Sequence, residues 1–308
     1  VLTAGGPTND ALERPVLPGS SGGGYDLTRI GGAGGGVIHI EATNVTVEGI
    51  ISANGGASGV WCGGGAGGSI RINCGVLTGG GFIGARGGNG DAANGGGGGG
   101  GGCVALAFQT LAGGGLPRID LSPGVGVFSG PWTSRIPPYP RTAGAGTLYL
   151  NSTNEWLGEM VTNLIHVVLI VPGFTNWSPT SLTITNSRVQ LARDTKLNVQ
   201  GDLRLFGTNS ALQVEGEAGV DFGQVLLDGG RLLVVDSTQI MVRGDCVLTN
   251  GAAFHIRGAV TGMNGVSYGT LVDVASNGVI ASNSWVYPYC NETNGGPMLF
   301  RIGRELLV

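Results

Sequence analysis

Lysine occurs once in the 308 residues, at Lys196, and only 12% of positions carry a charge. The 16 basic residues are scattered, with no Lys/Arg cluster able to follow a phosphate backbone, so a nucleic-acid partner is not expected. Long apolar runs are missing too. The longest, Leu164 to Val171, is interrupted by His166 and falls far short of the ~20 apolar residues that cross a bilayer as a helix, so no membrane span is expected. Helical periodicity is nowhere sustained. The five cysteines contain no CxxC pair, which argues against a zinc site. The chain opens at Val1 without a basic-then-apolar leader and stops on FRIGRELLV within a strand pattern, so it reads as a processed or partial product.

Glycine is what the sequence has in excess, at 63 residues. An unbroken run, Gly95 to Gly102, precedes the apolar segment CVALAF at 103–108. The same order of glycines then strand occurs in GGAGGGVIHI at 31–40, GGGAGGSIRI at 63–72 and, more weakly, AGAGTLYL at 143–150. Ile38, Ile70, Val104 and Leu148 hold the same place in these four words, at a nearly constant step that lengthens only before Leu148. An internal repeat of this kind predicts stacked supersecondary units. Glycine backbones without Cβ atoms can approach closely, in positive-φ or polyproline-II-like geometry, and pair with one another. The competing reading of such runs is a flexible linker.

In chain order, residues 1–30 form an irregular lead-in rich in Pro, Gly, Asn and Asp. VIHIEA places Ile38, Ile40 and Ala42 on one face and Val37, His39 and Glu41 on the other. Units of near-equal length follow, each one coil of the repeat, and residues 125–142 break the pattern with prolines and aromatics. From Ser181 onward, short alternating strands are separated by Asn, Asp and Gly. The inward pairs Leu197/Val199, Leu212/Val214, Leu232/Val234 and Phe254/Ile256 recur there as successive, shorter rungs. The expected fold class is all-β, a right-handed parallel β-helix (β-solenoid) with a glycine-rich face, and a β-sandwich is the alternative for the second half. The expected division is 1–142, glycine-rich repeats, and 143–308, shorter regular rungs.

The glycine-strand words at 31–56, 63–88 and 95–108 resemble the repeat block of very large β-helical surface proteins found mainly in bacteria. VDVASNGVIASNSWVYPYCNETNGGPMLFRIG at 272–303 resembles the segment following such blocks. The resemblance implies an extracellular, adhesin-like or fibre-forming role and transfers no catalytic residues. This chain departs from it in its five cysteines.

Cys62, Cys74 and Cys103 fall in successive units and are candidates to bridge neighbouring rungs, Cys246 and Cys290 could pair in the second half, and buried thiols are the alternative. Asn44, Asn151, Asn176 and Asn291 head Asn-X-Ser/Thr triplets. GGNGDAANGG makes Asn89, Asp91 and Asn94 a weak Ca²⁺ candidate beside an ordinary turn. No other cofactor is expected, since the glycines at 32–36 precede a strand where a dinucleotide fingerprint requires a helix. His39, His166 and His255 lie in separate strands and read as strand residues rather than bases.

Polysaccharide cleavage would need converging carboxylates; Asp221, Asp228 and Asp236, with Arg231 and Arg243 as clamps, are the candidates. Trp61, Trp132, Tyr139, Trp156, Trp177, Trp285, Tyr287 and Tyr289 are expected largely in loops, as anchors, sugar-stacking rings or local plugs. The leading expectation is a non-enzymatic extracellular or cell-surface structural protein that polymerises with copies of itself and contacts surface glycans, joined through Val1, Leu2, Leu306, Leu307 and Val308. The alternative is a polysaccharide-binding or polysaccharide-cleaving β-helix enzyme.

Overall fold

The computed structural model describes residues 11–91, 95–113, 115–126, 143–151, 160–193, 195–216, 219–260, 268–289 and 297–308. Among them every regular element is a β-strand, and the registered strand pairs are parallel. The chain divides into two compact units, Val1–Trp156 with Ile165–Pro172, and Leu157–Leu164 with Gly173–Val308. The boundary therefore lies later than residue 142. Strands Gly146–Leu150 and Val167–Ile170 pair with each other, and the former also pairs with Cys103–Leu111, which ties both to the first unit.

In the first unit Val37–Thr46, Ser69–Thr78, Cys103–Leu111, Gly146–Leu150 and Val167–Ile170 form one parallel ladder. Its register pairs Ile38 with Ile70, Ile70 with Val104, and Val104 with Leu148, the residues that mark the period in the sequence. A shorter ladder joins Ile50–Ser52, Phe82–Gly84 and Arg118–Asp120. Alternation sends Ile70, Ile72, Val104, Leu106, Leu148 and Leu150 inward, where they meet Ile83, Ile119 and Leu121 at zero exposure. Fully burying such a side chain contributes about 1.5–3 kcal/mol, which makes this shared apolar layer a main stabilising element of the unit.

Those glycines are neither strands nor free coil. In the segment 63–68 the backbone N–H groups point in turn at three different neighbours and then repeat. Gly63 and Ala66 donate to Gly23 and Ser20, Gly64 and Gly67 to Gly97 and Gly100, and Gly65 and Gly68 to Gly56 and Ala53, at 2.7–3.0 Å. A threefold period without internal hydrogen bonds is that of a polyproline-II helix. The result is a lattice of such helices, with parallel and antiparallel neighbours. Positive φ is not the reason for glycine here, because within the 95–102 run only Gly95 adopts it. Close approach is the reason: a Cβ on Gly65 would lie 2.0 Å from the Ala33 oxygen, and one on Gly68 1.9 Å from the Gly36 oxygen. At Gly63 the nearest atom would be 3.4 Å away, and Ala66, which shares its lattice direction, is the one position of this segment with a side chain. The linker reading of these runs is thereby replaced by a hydrogen-bonded lattice.

The second unit holds two ladders, described strand by strand. One runs Arg188–Leu191, Ala211–Glu215, Arg231–Ser237, Ala253–Gly258 and Trp285–Tyr289. The other runs Met160–Thr162, Leu182–Thr185, Lys196–Phe206, Val220–Asp228, Gln239–Val242, Thr270–Val274 and Met298–Ile302. Leu212, Leu232 and Phe254 stack inward, as do Val214, Val234 and Ile256. The expected first step, from Leu197/Val199 to Leu212/Val214, is wrong. Val199 pairs with Phe222 in the second ladder, and the true partner of Leu212 is Val189. Asn186, Asn250 and Asn283 turn corners at φ of 49°, 55° and 60°, a region asparagine tolerates through its short polar side chain. A β-sandwich is built from antiparallel sheets, and the parallel ladders of this unit do not match it.

Candidate functional site

In the first unit, corners of successive repeats bring together a polar cluster absent from the sequence-based candidates. Arg86 and Asp120 form an ion pair at 2.5 Å, with the Asp120 side chain 5% exposed and the Arg86 side chain 43% exposed. Asp120 Oδ1 accepts hydrogen bonds from the Ser122 N–H at 3.0 Å and the Ser122 hydroxyl at 2.5 Å. Ser122 Oγ also lies 2.9 Å from His166 Nδ1. Because the single hydroxyl proton points at Asp120, His166 Nδ1 carries the proton of the second contact. A hydroxyl activated for attack needs the reverse order, with the imidazole accepting from serine and the carboxylate orienting the imidazole. The cluster is therefore a clip across repeats and not a nucleophile with its base. It borders an open polar depression of about 470 Å³ lined by Asn54, Arg86, Asn89, Asp120, Ser122 and Pro123. Register carried a signal for it: Gly84 stands opposite Asp120, and two positions on from each stand Arg86 and Ser122.

The three proposed catalytic carboxylates do not converge. Asp221 and Asp228 lie near opposite ends of the same strand, roughly 20 Å apart, and Asp236 belongs to the other ladder. Each has local partners. Arg243 Nε donates to Asp221 at 2.9 Å, Asn250 to Asp228 at 2.5 Å, and Arg257 to Asp236 at 2.9 Å. Arg243 is thus held by Asp221 and is no independent clamp. Arg231 is exposed and makes no ion pair with a described residue.

For the Ca²⁺ candidate, Asn89 Oδ1 accepts from the Val125 N–H at 2.9 Å and Asp91 Oδ2 from the Trp61 N–H at 2.8 Å, so these oxygens cap backbone in an ordinary turn. Asn94 lies outside the described residues. No cluster of three or more His, Cys, Asp or Glu suited to a metal occurs among the described residues.

No disulfide joins Cys62, Cys74, Cys103 and Cys246; all four are thiols, and Cys290 lies outside the described residues. The register explains this correction. Cys74 stands opposite Ala42 and Phe108, Cys103 opposite Ser69 and Thr147, and Cys246 opposite Val225 and Gly278. Cys62 Sγ instead donates to the Arg29 carbonyl at 3.1 Å. Burial pushes the Cys246 thiol up to about 12.

His39 lies 2.7 Å from Arg71 and 3.2 Å from Glu41 on the outer face of its strands. Asn44 is exposed on its strand and Asn176 is also exposed, whereas the Asn151 amide is tied to the Phe108 backbone at 3.0 and 3.2 Å; Asn291 lies outside the described residues. Several aromatics expected in loops are in strands: Trp177 is buried in Asn176–Trp177, and Trp285, Tyr287 and Tyr289 share one strand. The proline within WVYPY gives that segment the look of a loop. Trp61 is half exposed, 5.7 Å from the Tyr25 ring, while Trp132, Tyr139 and Trp156 lie outside the described residues. Leu306, Leu307 and Val308 are exposed, and Val1 and Leu2 lie outside the described residues. Among the described residues no helix is long and apolar enough to cross a membrane. Comparison with known protein families, curated proteins and solved structures finds no match to this chain.

Proposed function

We propose that the chain is an extracellular structural protein, a right-handed parallel β-solenoid braced by its glycine lattice, that assembles with copies of itself into a fibre or cell-surface matrix. The observation that carries this reading is the edge strand Val37–Thr46. It pairs on one side with Ser69–Thr78, and no other described strand pairs with it. Its neighbour Ile50–Ser52 is likewise an edge, with Ile50 76% exposed. Unpaired strand groups beside exposed aliphatic side chains are a template for a further parallel strand, and a head-to-tail contact that does not close gives a filament. The resemblance of the glycine-strand words to bacterial surface repeats points the same way. The scattered carboxylates Asp221, Asp228 and Asp236 favour a structural over a hydrolytic role.

Negative-stain electron microscopy and sedimentation velocity over a concentration series test the proposal, with Ile50→Lys as the edge-blocking variant. The expected result is concentration-dependent filaments that Ile50→Lys suppresses without lowering the melting temperature. Monomers at every concentration would refute it.

A further inference from the structure

The first ladder of the second unit presents an outer face whose side chains fall into rows. Its inner face is spent on Val189, Leu212, Leu232 and Phe254. Outside, one row runs Arg188, Ala211, Arg231, Ala253, Trp285, each residue registered with the next. The adjacent row runs Gln190, Gln213, Leu233, His255, Tyr287. Strands in a ladder are about 4.8 Å apart, so the steps from Arg188 to Arg231 and from Arg231 to Trp285 are each about 10 Å, with one alanine inside each step.

At one end of the face the rings form a shelf. Tyr287 lies 6.2 Å from Trp285 and 6.2 Å from Tyr289, with planes within 24° and 20° of parallel. His255 stacks on Tyr287 at 4.8 Å and 13°, and its Nδ1 lies 3.1 Å from the Tyr289 hydroxyl. Trp285 remains 45% exposed. Fixing the rings in advance removes the ordering cost that a ligand would otherwise bear.

The charges on the face are not all neutralised. Asp236 takes Arg257 at 2.9 Å, and Gln190 and Gln213 both donate to Glu215. Arg231 has no ion-pair partner among the described residues, and it stands close enough to Arg188 for the two cations to repel; burial first, and that repulsion second, lower the Arg188 pKa. His255 is held below its ordinary value by burial first and by Arg231 second, which disfavours its charged form.

We infer that this face binds an acidic polysaccharide laid across the strands, with Arg231 taking a uronate carboxylate and the Trp285–Tyr287 shelf stacking on a pyranose ring. A guanidinium offers a planar fork that matches a carboxylate, and a pyranose offers an apolar C–H face to an aromatic ring with hydroxyls around its rim. Neither group alone selects this ligand. A cation in line with a preformed aromatic shelf, two strands away, fits a sugar polymer that carries carboxylates rather than a single small anion.

The test is isothermal titration of the full chain with oligogalacturonates, alongside uncharged dextran and poly-glutamate, at low and physiological salt. Arg231→Gln and Trp285→Ala are the site variants, and Lys196→Gln, an exposed cation on the other ladder, is the charge control. The expected outcome is binding of oligogalacturonate that weakens with salt, falls about tenfold in Arg231→Gln as a charge-assisted hydrogen bond is lost, falls in Trp285→Ala, and is unchanged in Lys196→Gln. Thermal melts of each variant check that the fold is retained. No binding, equal binding of dextran or poly-glutamate, or equal losses in Arg231→Gln and Lys196→Gln would each overturn the inference.

Discussion

Two glycines in the same run, Gly97 and Gly99, should respond oppositely to alanine. A Cβ on Gly97 would meet nothing within 4 Å, and its φ is not positive. Gly97→Ala therefore removes freedom from the unfolded chain without a native clash, and a gain of about 0.4–1 kcal/mol is expected. A Cβ on Gly99 would sit 1.9 Å from the Gly65 oxygen and 2.4 Å from its carbon. Both obstacles are backbone. The Gly65 oxygen accepts from the Gly88 N–H at 2.8 Å, Gly99 N–H donates to Gly88 at 2.9 Å, and Gly99 accepts from Gly124 at 2.8 Å. Relieving the overlap means moving one helix of the lattice by more than an ångström, which costs about 1–3 kcal/mol in packing and about 1–3 kcal/mol for each buried donor left without a partner. With one such donor lost, Gly99→Ala should destabilise by about 2–6 kcal/mol. Urea denaturation followed by far-ultraviolet circular dichroism measures both variants against the parent. Equal midpoints for the two variants would refute the lattice as the reason for glycine at 99.

Asp120→Asn should destabilise by about 2 kcal/mol, less than a fully buried ion pair because Arg86 is 43% exposed, and the same denaturation assay reads it. Cys246 should resist iodoacetamide in the native state at pH 8 and react only in denaturant, as mass spectrometry of the labelled peptides would show. The same thiol carries a pH dependence. Its folded pKa, about 12, exceeds the 9.0 of an exposed cysteine, so the unfolded chain releases the proton first and stability should fall as pH rises from about 9 towards 12, which denaturation midpoints across that range would reveal.

Much of the first unit was legible because its period is written twice, in glycine words and in strand words, and the two agree. Ile38, Ile70, Val104 and Leu148 can be aligned by eye and do stand in register. The second unit carries only one kind of word. An alternating Leu-x-Val reads the same on either ladder, so Leu197/Val199 looks like the rung before Leu212/Val214 although it lies on the other sheet. The threefold hydrogen-bond period of the lattice leaves little mark on a run of identical residues; Ala66 is where it surfaces. The clip of Arg86, Asp120, Ser122 and His166 escapes a linear reading because its members come from different repeats, and only the parallel strand register brings them together. Asp221, Asp228 and Asp236 mislead for the opposite reason, since closeness in sequence along extended strands means separation in space.

Site-resolved amide hydrogen exchange tests the central claim, that the glycine runs are an ordered lattice joined to the strand ladder. The account predicts that the amides of Gly65, Gly88, Gly99 and Gly102, each donating at 2.7–3.0 Å, exchange as slowly as those of the neighbouring core residues Ile70 and Val104. Glycine amides exchanging at the rate of free coil while Ile70 and Val104 stay protected would contradict it, returning the runs to linkers between isolated strands.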